Sequence, residues 1–190
     1  MIDLLTCENP ENYVKIKKLS ETNKPDSFLV SAQEYADYII NKAKDYQDSN
    51  ISTTFLLFDN EENKVIAYIS LICDMVSSTK SEKEKSNLMN VPFNSFPAVK
   101  IAQLAVSEEK WVKEKYNHIG SYLIQFASVQ AHIINLNYSA CRFLTVDADI
   151  ENTPDVDKFY EKNNFLRLSS SKYSFRTKQI AMYRDIYDII

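Results

Sequence analysis

Lys115-Tyr116-Asn117-His118-Ile119-Gly120-Ser121-Tyr122-Leu123 contains the only glycine in a chain of 190 residues. At the average usage of about 7%, a chain of this length would carry roughly thirteen. Glycine therefore stays at a place where a side chain is not tolerated, and the turns elsewhere rely on Asn, Asp, Ser and Pro. Apolar, strand-like residues from Val99 to Val106 precede the stretch, and an amphipathic run from Ile119 to Ile134 follows it. A loop that leaves a buried strand and enters a core helix offers unpaired backbone N–H groups and about half a positive charge, which suits an anion such as phosphate. Glycine at that point lets a ligand approach the backbone closely.

Outward from this loop, the chain alternates between two periodicities. Ile2 to Thr6 reads as a short strand. Asn9-Pro10-Glu11 has the order of cap, proline and acid that opens a helix, and the spacing predicts one through Leu19. Ser31-Ala32-Gln33-Glu34 reads as a capping box, followed by the helical face Tyr35, Ile39, Ile40 and Ala43, ending near Tyr46 to Ser49. Ser52 to Phe58 and Lys64 to Met75 are strand candidates joined by Asp59-Asn60-Glu61-Glu62-Asn63 as a hairpin loop. Residues 77–96 are polar and read as a surface insertion, a long loop or short helix before the strand Pro97 to Val106. Ile119, Leu123, Phe126, Ala127, Ala131 and Ile134 share one helix face. Cys141 to Val146 is a strand, and Thr153-Pro154-Asp155 restarts a helix that runs to about Asn163. Phe165 to Leu168 and Ile180 to Ile186 read as the last strands. The expected fold is α/β of the α+β kind: one domain spanning 1–190, a mixed and mostly antiparallel sheet flanked by helices.

Composition narrows the function. The net charge is -4, from 22 basic and 26 acidic residues, with 45% hydrophobic content. No broad basic face is expected, which argues against a nucleic-acid partner without excluding tRNA. Three distant cysteines and two histidines do not have the spacing of a metal site, so no metal is expected. Neither a bilayer-spanning stretch nor a signal-peptide pattern is seen, so the expectation is a soluble cytoplasmic protein without membrane attachment. A homodimer is left open.

Two motifs together carry a family resemblance. Leu104-Ala105-Val106, the loop from Lys115 and the helix from Ile119 resemble the central motif of the GNAT superfamily of acetyl-CoA-dependent N-acetyltransferases. There a strand ending Leu-Ala-Val leads through Arg/Gln-x-x-Gly-x-Gly/Ala into a helix. Phe159-Tyr160-Glu161-Lys162-Asn163-Asn164-Phe165 resembles the family's later Phe-Tyr-Glu-Lys-x-Gly-Phe motif. Phe28, Ser31 to Lys44, Thr54-Phe55-Leu56 and Ala67-Tyr68-Ile69-Ser70 look like the subgroup of bacterial toxin–antitoxin toxins. Tyr116 and His118 stand where the family usually has glycines, as do Ala67 and Asn164, and the segment 107–118 is longer than usual.

The resemblance implies a splayed central strand pair and acetyl-CoA as cosubstrate. It implies cofactor contacts from Leu104, Ala105, Val106, Lys115, Asn117, His118, Ile119, Gly120, Ser121 and Asn152. Catalytic roles fall to the Val106 N–H, as donor to the thioester oxygen, and to Tyr160, beside the leaving thiolate. Asp147 and Asp149, expected just after a strand, are candidates for the base that no carboxylate on Val99 to Val106 supplies. The implied reaction is acetyl transfer to a primary amine of a small molecule, peptide or protein. Two alternatives are acetylation of the aminoacyl-tRNA α-amine and a non-catalytic binding module with a degenerate CoA site.

Overall fold

Strands form where β-branched and aromatic residues cluster, and helices where apolar residues recur at helical spacing. The computed structural model describes residues 1–169 and 178–187. Its elements are β1 (Ile2–Asp3), β2 (Val14–Lys18), α1 (Gln33–Asp37), α2 (Ala43–Asp48), β3 (Thr53–Asp59), β4 (Val65–Ser77), α3 (Lys80–Lys85), β5 (Ser95–Val106), α4 (Lys110–Lys115), β6 (Tyr116–Asn117), α5 (Ile119–Asn137), β7 (Phe143–Asp149), α6 (Val156–Lys162), β8 (Leu166–Arg167) and β9 (Gln179–Asp185). Seven strands form a sheet in the order β2-β3-β4-β5-β7-β9-β8, and β1 pairs with β6 separately. The ladders β2–β3, β3–β4, β7–β9 and β8–β9 are antiparallel, whereas β5–β7 is parallel. This is the mixed, mostly antiparallel sheet with flanking helices that the sequence implies. Among the described residues, no helix is long and apolar enough to cross a membrane.

The chain divides into two units, Met1–Ile72 with Ala102–Phe126, and Cys73–Ile101 with Ala127–Ile190. In the first, Leu19, Phe28, Ile39, Leu56, Tyr68 and Ala105 are buried together. The helical run is continuous from Gln33 to Asp48, with a π-helical turn at Tyr38–Lys42 between α1 and α2. Its N-cap is Ala32 with no side-chain cap bond, so the expected capping box does not form. Ser31 instead bonds Glu108, through its N–H at 3.0 Å and its hydroxyl at 2.6 Å.

The helix expected from Asn9 to Leu19 is also absent. Pro10–Asn12 makes a single 3-10 turn, and Val14–Lys18 is strand β2, in register with β3 from Val14↔Asp59 to Lys18↔Phe55. Proline and acid open a turn as well as a helix. The β-branched alternation Val14, Ile16 then gains a ladder that a local helix could not supply.

In the second unit, Phe143 packs edge-to-face on Phe96 at 5.9 Å and on Tyr183 at 5.7 Å. The polar insertion is not merely solvated. Thr79 and Glu82 form a capping box that starts α3, and Leu88 and Val91 pack on the Val76–Phe96–Phe143–Tyr183 cluster. Buried Lys83 donates to the carbonyls of Val91 at 2.5 Å and Phe93 at 3.1 Å, and to Asn94 Oδ1 at 3.3 Å. A lysine that bridges the far end of its own segment folds the insertion onto the core. The parallel ladder β5–β7 runs from Ala98↔Phe143 to Ile101↔Val146, while β5 itself continues to Val106.

Candidate functional site

Lys110 to Asn117, expected as loop, is ordered structure: helix α4 and then the two-residue strand β6. Strand β6 pairs in parallel with β1, Ile2↔Tyr116 and Asp3↔Asn117, and the Leu4 N–H donates to the Asn117 carbonyl at 3.3 Å. Upstream, the Ser107 N–H donates to the Ile66 carbonyl and the Glu108 N–H to the Leu29 carbonyl, each at 2.8 Å. The end of β5 and the start of α5 are thus fixed by residues from remote parts of the first unit.

Within that unit lie Leu104, Ala105, Val106, Lys115, Asn117, His118, Ile119, Gly120 and Ser121. Ala105 and Ile119 are buried, and Leu104, Val106, Gly120 and Ser121 half-buried. Helix α5 makes its first backbone bond from the Tyr122 N–H to the His118 carbonyl at 2.9 Å. The preceding amides of Ile119, Gly120 and Ser121 belong to the helix start, where N–H groups have no intrahelical acceptor. Gly120 has no positive φ. Its contribution is the missing Cβ rather than a left-handed backbone.

The polar side chains of this loop are engaged elsewhere. Lys115 Nζ is 2.7 Å from Asp59 Oδ2 and 2.6 Å from Glu61 Oε2. Tyr116 donates its hydroxyl to Asp59 Oδ2 at 2.6 Å, with the Tyr13 carbonyl at 3.1 Å. Asp59 is fully buried. Burial pushes its carboxyl up, but hydrogen bonds from Lys115, Tyr116 and the Glu62 amide outweigh that and hold it below the usual carboxylate range. The Asn117 side chain accepts the His118 N–H at 3.0 Å, and His118 Nδ1 lies 2.9 Å from Asp3 Oδ2. Of the groups able to meet an anion, the backbone amides of Ile119, Gly120 and Ser121 fit the role. Trp111 is half-buried and donates its indole N–H to Glu109 at 2.5 Å.

The second unit holds Asn152 and Tyr160. Asn152 is exposed and bonds Asp149 through its backbone N–H at 3.2 Å and its side-chain amide at 2.8 Å. Tyr160 is buried, edge-to-face with Phe159 at 5.1 Å and Phe165 at 5.4 Å. Asn164 has φ 65, with the Phe165 N–H on the Tyr160 carbonyl and the Asn164 N–H on the Glu161 carbonyl, both at 3.0 Å. That is a Schellman end with asparagine as the left-handed residue, as the sequence predicts. Asp147 and Asp149 lie within β7 rather than after it. Asp147 pairs with Lys100 at 2.5 Å, and Asp149 Oδ1 accepts the Glu151 and Asn152 amides.

A cavity of about 350 Å³ in the first unit is lined by Glu34, Tyr38, Lys42, Tyr46, Ser52 and Gln103. Lys42 there is paired with Asp37 at 2.5 Å. Sequence reasoning missed Asp59, Asp3 and Glu108. Nothing local marks them, because their partners come from distant segments.

No family model matches the sequence, and no curated protein matches it. Solved structures do match. AtaT complexed with acetyl-methionyl-tRNAfMet gives a TM-score of 0.70 at 17% identity, covering 88% of this chain and 93% of that one. A structure described as a bacterial toxin gives 0.68 at 16% identity, covering 91% and 90%. AtaTR bound with AcCoA gives 0.66 at 17% identity, covering 92% and 95%. The chain has the GNAT-like fold. Along the chain, α4 and β6 separate the Leu104-Ala105-Val106 strand end from the start of α5.

Proposed function

We propose that the protein is an N-acetyltransferase that moves the acetyl group of acetyl-CoA to a primary amine. The observation that carries the reading is the likeness, over about nine-tenths of the chain, to AtaTR solved with bound AcCoA. Acetyl-CoA supplies the acetyl group as a thioester. The amides of Ile119, Gly120 and Ser121 hold the anionic part of the cosubstrate, with the missing Cβ of Gly120 leaving room for it. The Val106 N–H donates to the thioester oxygen as negative charge develops there. The amine nitrogen bonds to the carbonyl carbon, the C–S bond breaks, and the Tyr160 hydroxyl stabilises or protonates the departing thiolate. An amine must first lose a proton. An α-amine near pKa 8 does so in solution far more readily than a lysine amine near 10.4.

The acceptor is proposed to be an amine of a small molecule, peptide or protein. The pairing of Lys42 and Lys115 with acidic groups, in a chain of net charge -4, supports that class, because affinity for RNA draws on phosphate contacts. A second reading, the α-amine of aminoacyl-tRNA, is supported by the solved AtaT complex with acetyl-methionyl-tRNAfMet. Thermal shift with acetyl-CoA tests the common part. Binding at 100 times the dissociation constant adds about 2.7 kcal/mol of stability, and no shift at millimolar ligand supports the non-catalytic module instead. Release of free thiol in the presence of either charged tRNA or a panel of amines separates the two acceptor classes.

A further inference from the structure

The segment that leads into α5 carries side chains at Lys115, Tyr116 and His118, and these hold it through bonds that glycine could not make. Asp59 is the centre of that arrangement. Its Oδ2 receives Lys115 Nζ at 2.7 Å and the Tyr116 hydroxyl at 2.6 Å, while its Oδ1 receives the Glu61 and Glu62 amides at 2.8 and 2.7 Å. The acid is thereby anchored in its own hairpin, which the Asp59 N–H closes on the Lys64 carbonyl at 2.9 Å. Both groups that it binds on Oδ2 come from consecutive residues just before α5. His118, with φ 58, is turned so that its ring meets Asp3.

We infer that Asp59 is a positioning residue: from behind the loop it fixes the backbone of Lys115 to Gly120, and so sets the aim of the Ile119, Gly120 and Ser121 amides. Glycine-rich loops reach such a shape through backbone freedom. Here Tyr116 and His118 reach it through side chains tied to buried or half-buried acids. The functional consequence rests on the proposed binding of acetyl-CoA at those amides. The fixing of the loop does not.

Asp59→Asn keeps the shape of the side chain but removes its charge and places a donor among donors. Two measurements on the full chain test the inference. Amide hydrogen exchange at Tyr122, whose N–H closes the first turn of α5 on His118, is expected to quicken at least tenfold relative to amides of β7. Acetyl-CoA is expected to bind about tenfold more weakly, raising KM while kcat at saturation stays within about threefold. A loss of overall stability alone would quicken exchange in β7 equally and leave KM unchanged. Tyr116→Phe, which keeps the Asp59–Lys115 pair, is expected to show the same pattern at smaller size, and it serves if Asp59→Asn does not fold. Unchanged Tyr122 exchange in a folded variant overturns the inference. If the wild-type protein binds no acetyl-CoA, the functional proposal fails, and the exchange data alone decide the role of Asp59.

Discussion

Replacing Tyr160 by phenylalanine removes one oxygen and leaves the packing in place. The ring is buried at 6% exposure, edge-to-face with Phe159 and Phe165, and phenylalanine fills the same volume. The Tyr160 carbonyl, which accepts the Asn163 and Phe165 amides, is untouched. The stability lost is thus at most the net worth of one hydrogen bond, about 1.5 kcal/mol. In a chain of this size that lowers Tm by about 3–6 °C, leaving the protein folded at 25 °C. In the role proposed for Tyr160 beside the leaving thiolate, the chemical cost is larger. A phenol near pKa 10 that passes its proton to a thiolate near 8.5 goes uphill by about 2 kcal/mol, so hydrogen-bond stabilisation of the leaving sulfur carries much of the effect. Loss of about 2.7 kcal/mol of transition-state stabilisation corresponds to a turnover about 100-fold lower. The assay is steady-state thiol release with the acceptor found in the panel, alongside calorimetric binding of acetyl-CoA. Expected are a kcat reduced about 100-fold and an unchanged dissociation constant. Turnover within about threefold of wild type in a folded variant removes Tyr160 from the reaction.

Other perturbations separate stability from binding. Gly120→Ala puts a good helix former at a position without positive φ, so chemical denaturation is expected to show a gain of about 0.5–1 kcal/mol. The added Cβ nonetheless intrudes beside the α5 amides, and calorimetry is expected to show acetyl-CoA affinity at least about tenfold weaker. Undiminished affinity would show that the missing Cβ has no part in binding. Asn164→Gly, at φ 65, relieves a left-handed asparagine and is expected to raise stability by about 0.5 kcal/mol in the same experiment, with Asn164→Val falling below wild type. Asp59 has its folded pKa depressed, so its contribution is present above the unfolded value near 3.9 and is lost as pH falls through the folded value. The stability gap between wild type and Asp59→Asn should accordingly be constant from about pH 6 to 5 and shrink below about pH 4. A gap below about pH 4 as large as that at about pH 6 would mean that the carboxylate is not the stabilising form.

Periodicity made the long elements legible in the sequence. On α5 the expected face is buried at Ile119, Leu123, Ala127 and Ala131, because nineteen residues of consistent spacing outweigh any single exception. Asn164 was legible because the left-handed position is a local property, set by Phe159 and Phe165 on either side of a helix end. Strand β2 was not. Its proline and acid encode a chain turn, and only the β3 ladder, more than thirty residues along in sequence, decides that Val14 to Lys18 extend rather than coil. Asp59 looked like one more turn residue at a hairpin, because its second role depends on Tyr116, 57 positions away. Candidate catalytic residues were found by motif, whereas the groups that hold their backbone were not, since a tie between remote segments leaves no pattern in either one.

The scarcity of glycine acquires a physical meaning from where the backbone turns left-handed. Asn50, Asn63, Asn87 and Asn164 take positive φ, as do Asp155, Lys178 and His118, while Gly120 does not. The conformational freedom of glycine has therefore been replaced, mostly by asparagine, whose short amide tolerates that region best among side chains. Each such position costs a little stability, and each needs neighbours that hold it. His118 has them in Asn117 and Asp3. One property of glycine has no such substitute, since every other residue carries a Cβ. In the proposed function the missing Cβ at the second residue of α5 is what leaves room for the cosubstrate. Side-chain ties can set the dihedrals of a loop. They cannot make room above its amides.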